Sequence, residues 1–201
     1  MVFSEEISER SEIEMQHKSI SIKHKKLFRL SLRRLKKMQM KILMVCLGNI
    51  CRSPLAEGIL QHKADKAGLN WKVDSAGTGN YHIGDPPHRL SQKVAKLNGI
   101  DISTQQCRQF VKEDMLRFDK IYAMDNEIYD DIKRISSEFW DERKVDLLMN
   151  EVYPGENLDV PDPWYGTEIN YHHVFKMVSE ACDVIIEKYK SQKSTIKSQK
   201  V

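Results

Sequence analysis

Cys46 and Arg52 stand six positions apart in the segment Val45-Cys46-Leu47-Gly48-Asn49-Ile50-Cys51-Arg52-Ser53-Pro54. A thiolate is a strong nucleophile, and a guanidinium holds two phosphate oxygens in its planar fork. Together they can attack phosphorus in a phosphate that is already bound. The apolar run Ile42-Leu43-Met44-Val45 just before them reads as a buried strand, and Pro54 suits the first turn of a helix. A loop running from strand into helix offers consecutive backbone N–H groups to an anion, here from Leu47, Gly48, Asn49, Ile50, Cys51 and Ser53, and the helix dipole adds positive potential. Gly48 and Asn49 tolerate the positive φ that a concave loop needs. Ser53 can donate to the sulfur and ease its departure from a thiophosphate. The Gly-x-x-x-x-Gly-Lys-Ser/Thr loop of nucleotide hydrolases is absent, so nucleotide hydrolysis loses its main support.

The elements that must hold this cradle alternate between strand and helix. Lys41–Val45 is the first expected strand, followed by a helix over Leu55–Ala67 that Gly68 closes. Trp71–Ser75 reads as a second strand and Pro87–Asn98 as a second helix, ended by Gly99. Lys120–Met124 is a third strand, and Asp125 caps a helix to about Arg134. Val145–Leu148 is a short fourth strand. Glu168–Tyr189 repeats Val174, Met177, Val178, Ala181, Ile185 and Ile186 at helical spacing. Such alternation argues for an α/β fold with a parallel sheet covered on both faces, whose ligands bind at the carboxyl ends of the strands. Cys46 lies at such an end.

Composition narrows the function classes. A hydrophobic fraction of 40% in 201 residues is enough for a core, and no apolar run approaches the roughly 18 residues of a membrane span. Residues 1–40 carry 10 Lys/Arg against 5 Glu, a net of +5, while residues 41–201 carry 22 against 24, a net of −2. The catalytic part is therefore no nucleic-acid binder by charge. Residues 1–39 read as a basic extension, disordered or forming a short helix, with Met38 and Met40 as alternative starts. Residues 40–190 form the expected domain, and 191–201 a disordered Lys/Ser/Gln-rich tail. The four cysteines are too sparse for a disulfide scaffold, and no secretory signal precedes the first strand, so a cytoplasmic location is expected. Cys46 and Cys51 lack a second pair at zinc-ligand spacing, so no metal or other cofactor is expected. Cys107 and Cys182 read as small buried hydrophobes, and His82, His88, His172 and His173 as surface residues.

The cradle segment resembles the signature of the low-molecular-weight protein tyrosine phosphatases, where it follows the first strand. The resemblance continues through Ser75-Ala76-Gly77-Thr78, Ile83-Gly84-Asp85-Pro86-Pro87, Arg108-Gln109, Met124-Asp125 and Asp162-Pro163-Trp164-Tyr165-Gly166, over roughly residues 41–190. It implies a three-layer α/β/α, flavodoxin-like fold with a four-stranded parallel sheet. It further implies hydrolysis of phosphotyrosine through a cysteinyl phosphate, with Cys46 as nucleophile and Arg52 on the phosphate. Asp162 would be the general acid, and then the base for the hydrolytic water. Taken alone, Asp162 in Val160-Pro161-Asp162-Pro163 is an Asx-turn residue of a stiff loop; beside the cradle it becomes the acid a phenolate needs. The resemblance places Tyr81, Trp164 and Tyr165 at the pocket mouth. Asn49, Ser53 and Ser75 form a polar brace of the loop, completed in the family by a histidine where this chain has Gln105 or Gln106.

Related phosphatases that prefer phosphoarginine carry threonine at the position of Ile50, so Ile50 favours phosphotyrosine. Cys51 is either a redox guard that traps oxidised Cys46 as a disulfide or a small buried loop residue; the resemblance favours the guard. Implied partners are phosphotyrosine-bearing proteins, a bacterial tyrosine kinase among them. Asp125 is assigned to helix capping and left outside the site. Two other readings compete. Thioredoxin-coupled arsenate reduction shares the loop but needs two further cysteines close together, and Cys107 and Cys182 are far apart. A non-catalytic phosphate-binding module conflicts with the intact Cys46, Arg52 and Asp162 set.

Overall fold

The computed structural model describes residues 39–198, with side chains to residue 191. The basic extension apart from Gln39 and the last three residues of the tail lie outside the described residues. Strand β1 (Met40–Cys46) leads into α1 (Arg52–Lys66), then β2 (Trp71–Gly77) and α2 (Arg89–Leu97). A single turn, α3 (Asp114–Arg117), precedes β3 (Lys120–Ala123) and α4 (Asn126–Ser136). Strand β4 (Val145–Leu147) and 3-10 turns at Ser137–Phe139 and Leu148–Glu151 come before the long α5 (Glu168–Ser198). All strand pairs are parallel, in the order β2-β1-β3-β4. The chain steps from β1 outward to β2 and then returns to place β3 on the other side of β1. That reversal opens a crevice at the carboxyl end of β1, the usual ligand position in such sheets.

The β1 sequence can occupy the sheet centre because both of its faces are apolar. Ile42 and Met44 point into a core built with Leu55, Ile59 and Leu60 of α1 and Val174, Val178 and Ile185 of α5. Leu43 and Val45 point the other way, toward Ile121, Ala123, and Ile128 and Ile132 of α4. The strand period of two thus feeds two cores and gives three layers. Gly68 and Gly99, at φ 63° and 75°, follow the ends of α1 and α2 in the left-handed conformation that glycine adopts at least cost.

Several boundaries differ from expectation. Helix α1 begins three residues before Leu55, so Pro54 lies within its first turn. Helix α2 starts at Arg89 because His88 supplies the cap, its Nδ1 accepting from Leu90 N at 3.3 Å. Helix α5 does not stop at Tyr189 but runs on to Ser198, through most of the expected disordered tail. Lys, Ser and Gln there contain no helix breaker, so a nucleated helix continues.

Candidate active site

The carboxyl end of β1 delivers Cys46, 3% exposed, into the loop ahead of α1. Asn49 folds the loop back on the strand: its φ of 52° is the one positive value between Cys46 and Arg52, and its N–H points at Cys46 Sγ from 3.3 Å. Gly48 does not share that conformation. The Ser53 hydroxyl lies 3.0 Å from the same sulfur. Helix α1 has no acidic residue in its first turn and no side-chain cap, so its N-terminal amides suit an anion. The loop also rests on β2. A Cβ on Gly77 would come within 2.6 Å of Leu47 O, so only glycine permits this approach.

Arg52, buried at the start of α1, is held on three sides. Its Nη1 donates to Asp125 Oδ2 and to Val160 O at 3.0 Å, and its Nη2 donates to Asp162 Oδ2 at 3.1 Å. Burial alone would lower the guanidinium's proton affinity, but Cys46, Asp162 and Asp125 outweigh it and hold the pKa above the ordinary value. Asp125 does cap α4, through Oδ1 and Ile128 N at 2.8 Å. Its other oxygen takes the arginine, so Asp125 belongs to the site from which sequence reasoning left it out. The acid loop is hung on β3: Val160 N donates to Met124 O at 2.7 Å, and Trp164 N to Asp162 Oδ1 at 3.1 Å.

Beneath the loop, every polar atom of the Asn49 amide is used. Nδ2 donates to Ser53 Oγ and to Ser75 Oγ, each at 2.9 Å, and Oδ1 accepts from Arg108 N at 2.9 Å. Ser75 passes the chain on to Glu57 Oε2 at 2.6 Å. Burial, assisted by Asp74, pushes the Glu57 carboxyl up to about 7 against the opposing pull of Ser75, Arg108 and Gln105. Of the two expected brace positions, Gln105 is the half-buried one, and its Oε1 has no partner among the described residues. Gln106 is exposed.

Two further thiols surround Cys46. Cys51 Sγ lies 3.5 Å from the hydroxyl of buried Tyr171, and burial pushes the Cys51 thiol up to about 12. Cys107 is more than the small hydrophobe expected. Its Sγ donates to Gly48 O at 3.1 Å, with burial raising its pKa to about 11, so it helps to hold the loop. Above them opens a cleft of about 250 Å³ whose floor holds Cys46, Gly48, Ile50, Cys51 and Arg52. Leu47, Tyr81, His82, Asp162, Trp164 and Tyr165 line its sides and mouth. Tyr81 and Tyr165 stand almost free in solvent, at 76% and 98% exposure, while Trp164 packs against the rings of His82 and His88. His82, which lines the cleft, and His88, which packs on Trp164 and Tyr171, are therefore half-buried, contrary to the surface placement expected; His172 and His173 are exposed.

Comparison with known proteins agrees with this geometry. The family model described as low molecular weight phosphotyrosine protein phosphatase matches residues 41–195. The chain belongs to this family. A Bacillus subtilis member, the low molecular weight protein-tyrosine-phosphatase YfkJ, is 36% identical over 154 residues, covering 76% of this chain and 97% of that protein. Its crystal structure superposes with a TM-score of 0.72 over 79% of this chain and 99% of that one. The human low molecular weight phosphotyrosine protein phosphatase is 36% identical over 149 residues, 73% of this chain and 94% of that protein. The YwlE arginine phosphatase is also similar in structure, at 26% identity and a TM-score of 0.68, over 75% of this chain and 96% of that one.

Within this phosphatase family framework the structure brings together the loop from Cys46 to Ser53 with Ser75, Tyr81, Asp162, Trp164 and Tyr165. Cys46, Arg52 and Asp162 meet at one cleft, and Ser75 lies under the loop, where it accepts from the Asn49 amide. Asp125, Glu57, Cys107 and Tyr171 were missed in those roles. The Met124-Asp125 match carried a signal for the first, since an aspartate after a strand end can cap a helix and still offer a second oxygen. No pattern marks the other three.

Proposed function

We propose that this chain hydrolyses phosphotyrosine in proteins in two steps. Cys46 Sγ attacks phosphorus along the axis of the cleft while Arg52 and the amides of α1 hold the phosphoryl oxygens. The P–O bond to the phenol breaks, the S–P bond forms, and Asp162 gives its proton to the leaving oxygen. Asp162 then takes a proton from water, whose oxygen attacks phosphorus, breaks the S–P bond and returns the thiolate. General acid–base help of this kind contributes roughly 10²–10⁴-fold. One observation carries the reading: Arg52 Nη2 and Asp162 Oδ2 lie 3.1 Å apart on the cleft that has Cys46 in its floor. Nucleophile, phosphate clamp and acid thus share one small volume.

The apolar mouth of Leu47, Tyr81, Trp164 and Tyr165 suits an aryl ring. Ile50, 7% exposed, packs with Cys51, Val94, Cys107 and Tyr171, and an apolar residue in the floor supports phosphotyrosine over phosphoarginine. Arsenate reduction finds less support, since Cys182 is buried between α5 and the sheet while Cys107 lies in a different cluster. All four cysteines are free thiols, which suits a cytoplasmic location. Among the described residues no helix is long and apolar enough to cross a membrane. Phosphotyrosine proteins are the proposed partners, a bacterial tyrosine kinase among them. The test compares Cys46→Ser with the native chain on a phosphotyrosine peptide, a phosphoarginine peptide and arsenate. Turnover of the phosphotyrosine peptide that vanishes in Cys46→Ser is expected; substantial turnover remaining in that variant overturns the reading.

A further inference from the structure

Trp164 ties the acid loop to a stack of rings that ends at the phosphate loop. Its backbone N–H donates to Asp162 Oδ1, so the indole and the carboxylate move as one two-residue turn. The indole meets His88 at a centroid distance of 5.5 Å, near edge-on, and His88 stacks on Tyr171 at 5.2 Å with ring planes 18° apart. Tyr171 is fully buried, and its hydroxyl reaches Cys51 Sγ. The backbone of His88 is fixed independently, since its N–H donates to Ile50 O at 2.7 Å. His88 therefore touches both halves of the site, the loop that holds phosphate and the loop that carries the acid.

We propose that His88 is a positioning residue for Asp162, its ring serving as the platform that seats Trp164 and so sets where the carboxylate meets the leaving oxygen. This rests on the phosphatase reading above and deepens it. The tautomer follows from the contacts. Leu90 N can only donate, so Nδ1 accepts and a neutral ring carries its proton on Nε2. Burial, with Arg89 beside it, lowers the His88 pKa and favours that neutral ring. A flat, neutral ring stacks on Tyr171 without bringing a charge into the wall. His82, moored by Asp85 Oδ2 at 3.0 Å from its Nδ1, also meets the indole, at a centroid distance of 5.6 Å, and leaves Trp164 less room to swing.

A loss of acid positioning has a signature that a loss of folded protein lacks. It harms substrates with poor leaving groups more than those with good ones, whereas a smaller active fraction lowers both alike. The experiment measures kcat/KM for phenyl phosphate and para-nitrophenyl phosphate in the native chain, His88→Asn, His88→Phe and Asp162→Asn. His88→Asn keeps an oxygen for Leu90 N and removes the ring. It should lower the phenyl-to-nitrophenyl ratio roughly tenfold, part of the roughly 10²–10⁴-fold available to a general acid, in the same direction as Asp162→Asn. His88→Phe keeps a ring and removes the acceptor, and should hold the ratio within about twofold of native, since a preserved stack preserves the acid's position. The inference is overturned if His88→Asn leaves the ratio unchanged, or if His88→Phe shifts it as far as His88→Asn does. A native chain inert toward both esters overturns the phosphatase reading itself.

Discussion

Glu57→Gln isolates the half-buried carboxyl beneath the phosphate loop. On folding, the pKa of Glu57 rises from the ordinary 4.5 to about 7, first because burial removes water from its charge. At roughly 1.4 kcal/mol per tenfold change in proton affinity, about 3 kcal/mol of stability is tied to that proton. The sign follows from which state holds the proton. Between the two values the folded chain keeps it and the unfolded chain has released it, so stability falls as pH rises from about 4.5 to about 7. Above about 7 the fold carries a buried carboxylate that Ser75, Gln105 and Arg108 only partly compensate. The glutamine variant retains an oxygen for the Ser75 hydroxyl, 2.6 Å away in the native site, and has nothing to titrate. Urea unfolding of both proteins, followed by tryptophan fluorescence across this window, should show the native chain losing up to about 3 kcal/mol relative to the variant. Every group other than residue 57 is common to both proteins and cancels in the difference. Parallel stability curves would refute the reasoning, because they would mean that the carboxyl is solvated or already neutralised.

Four other outcomes follow from the same network. Gly77→Ala places a methyl 2.6 Å from Leu47 O; it should cost about 1–3 kcal/mol in unfolding experiments, because backbone rather than a flexible side chain must move, and lower kcat as well. Asp125→Asn keeps a helix cap but removes one of the two carboxylates on buried Arg52, and steady-state assays should show kcat/KM down about tenfold, equal to about 1.4 kcal/mol, with an unchanged circular dichroism spectrum. Cys107→Ala deletes the donor to Gly48 O and should lower stability by about 1 kcal/mol and raise the inhibition constant of inorganic phosphate. Gln105→His puts an imidazole beside Glu57; once protonated it favours the carboxylate, so the fall in native stability toward neutral pH should shrink in the same urea experiment.

The legible part of this chain was whatever local chemistry or local period dictates. Ile42–Val45 can hardly be anything but a central strand, and Cys46, Asn49 and Arg52 declare an anion loop by type and spacing. The residues missed have roles that arise only from contacts distant in sequence. Glu57 follows Arg52 by five positions and looks like an ordinary helix-surface acid. It is half-buried, with Ser75 and Gln105 hydrogen-bonded to its carboxyl. His88 reads as polar surface, and only the arrival of Tyr171 and Trp164 from far along the chain encloses its ring. Asp125 shows another limit, because one carboxylate has two oxygens and a sequence pattern accounts for one of them. The helix that runs on into the tail has a different reason: low hydrophobicity argues against a core, but not against extension of a helix already nucleated.

The seat of the phosphate loop on Gly77 bears on how transferable this catalytic unit is. Its curvature is imposed from outside, by a bare backbone at Gly77, by Ser75 and Arg108 holding the Asn49 amide, and by a thiol reaching up from Cys107. Grafted alone onto the strand–helix junction of an unrelated scaffold, the ten residues from Val45 to Pro54 would keep their chemistry and lose their shape. The smallest module that keeps the loop's shape is three separate pieces of chain, the loop together with residues 75–78 and 105–110. Sequence change in this lineage is therefore expected to move those three pieces in concert.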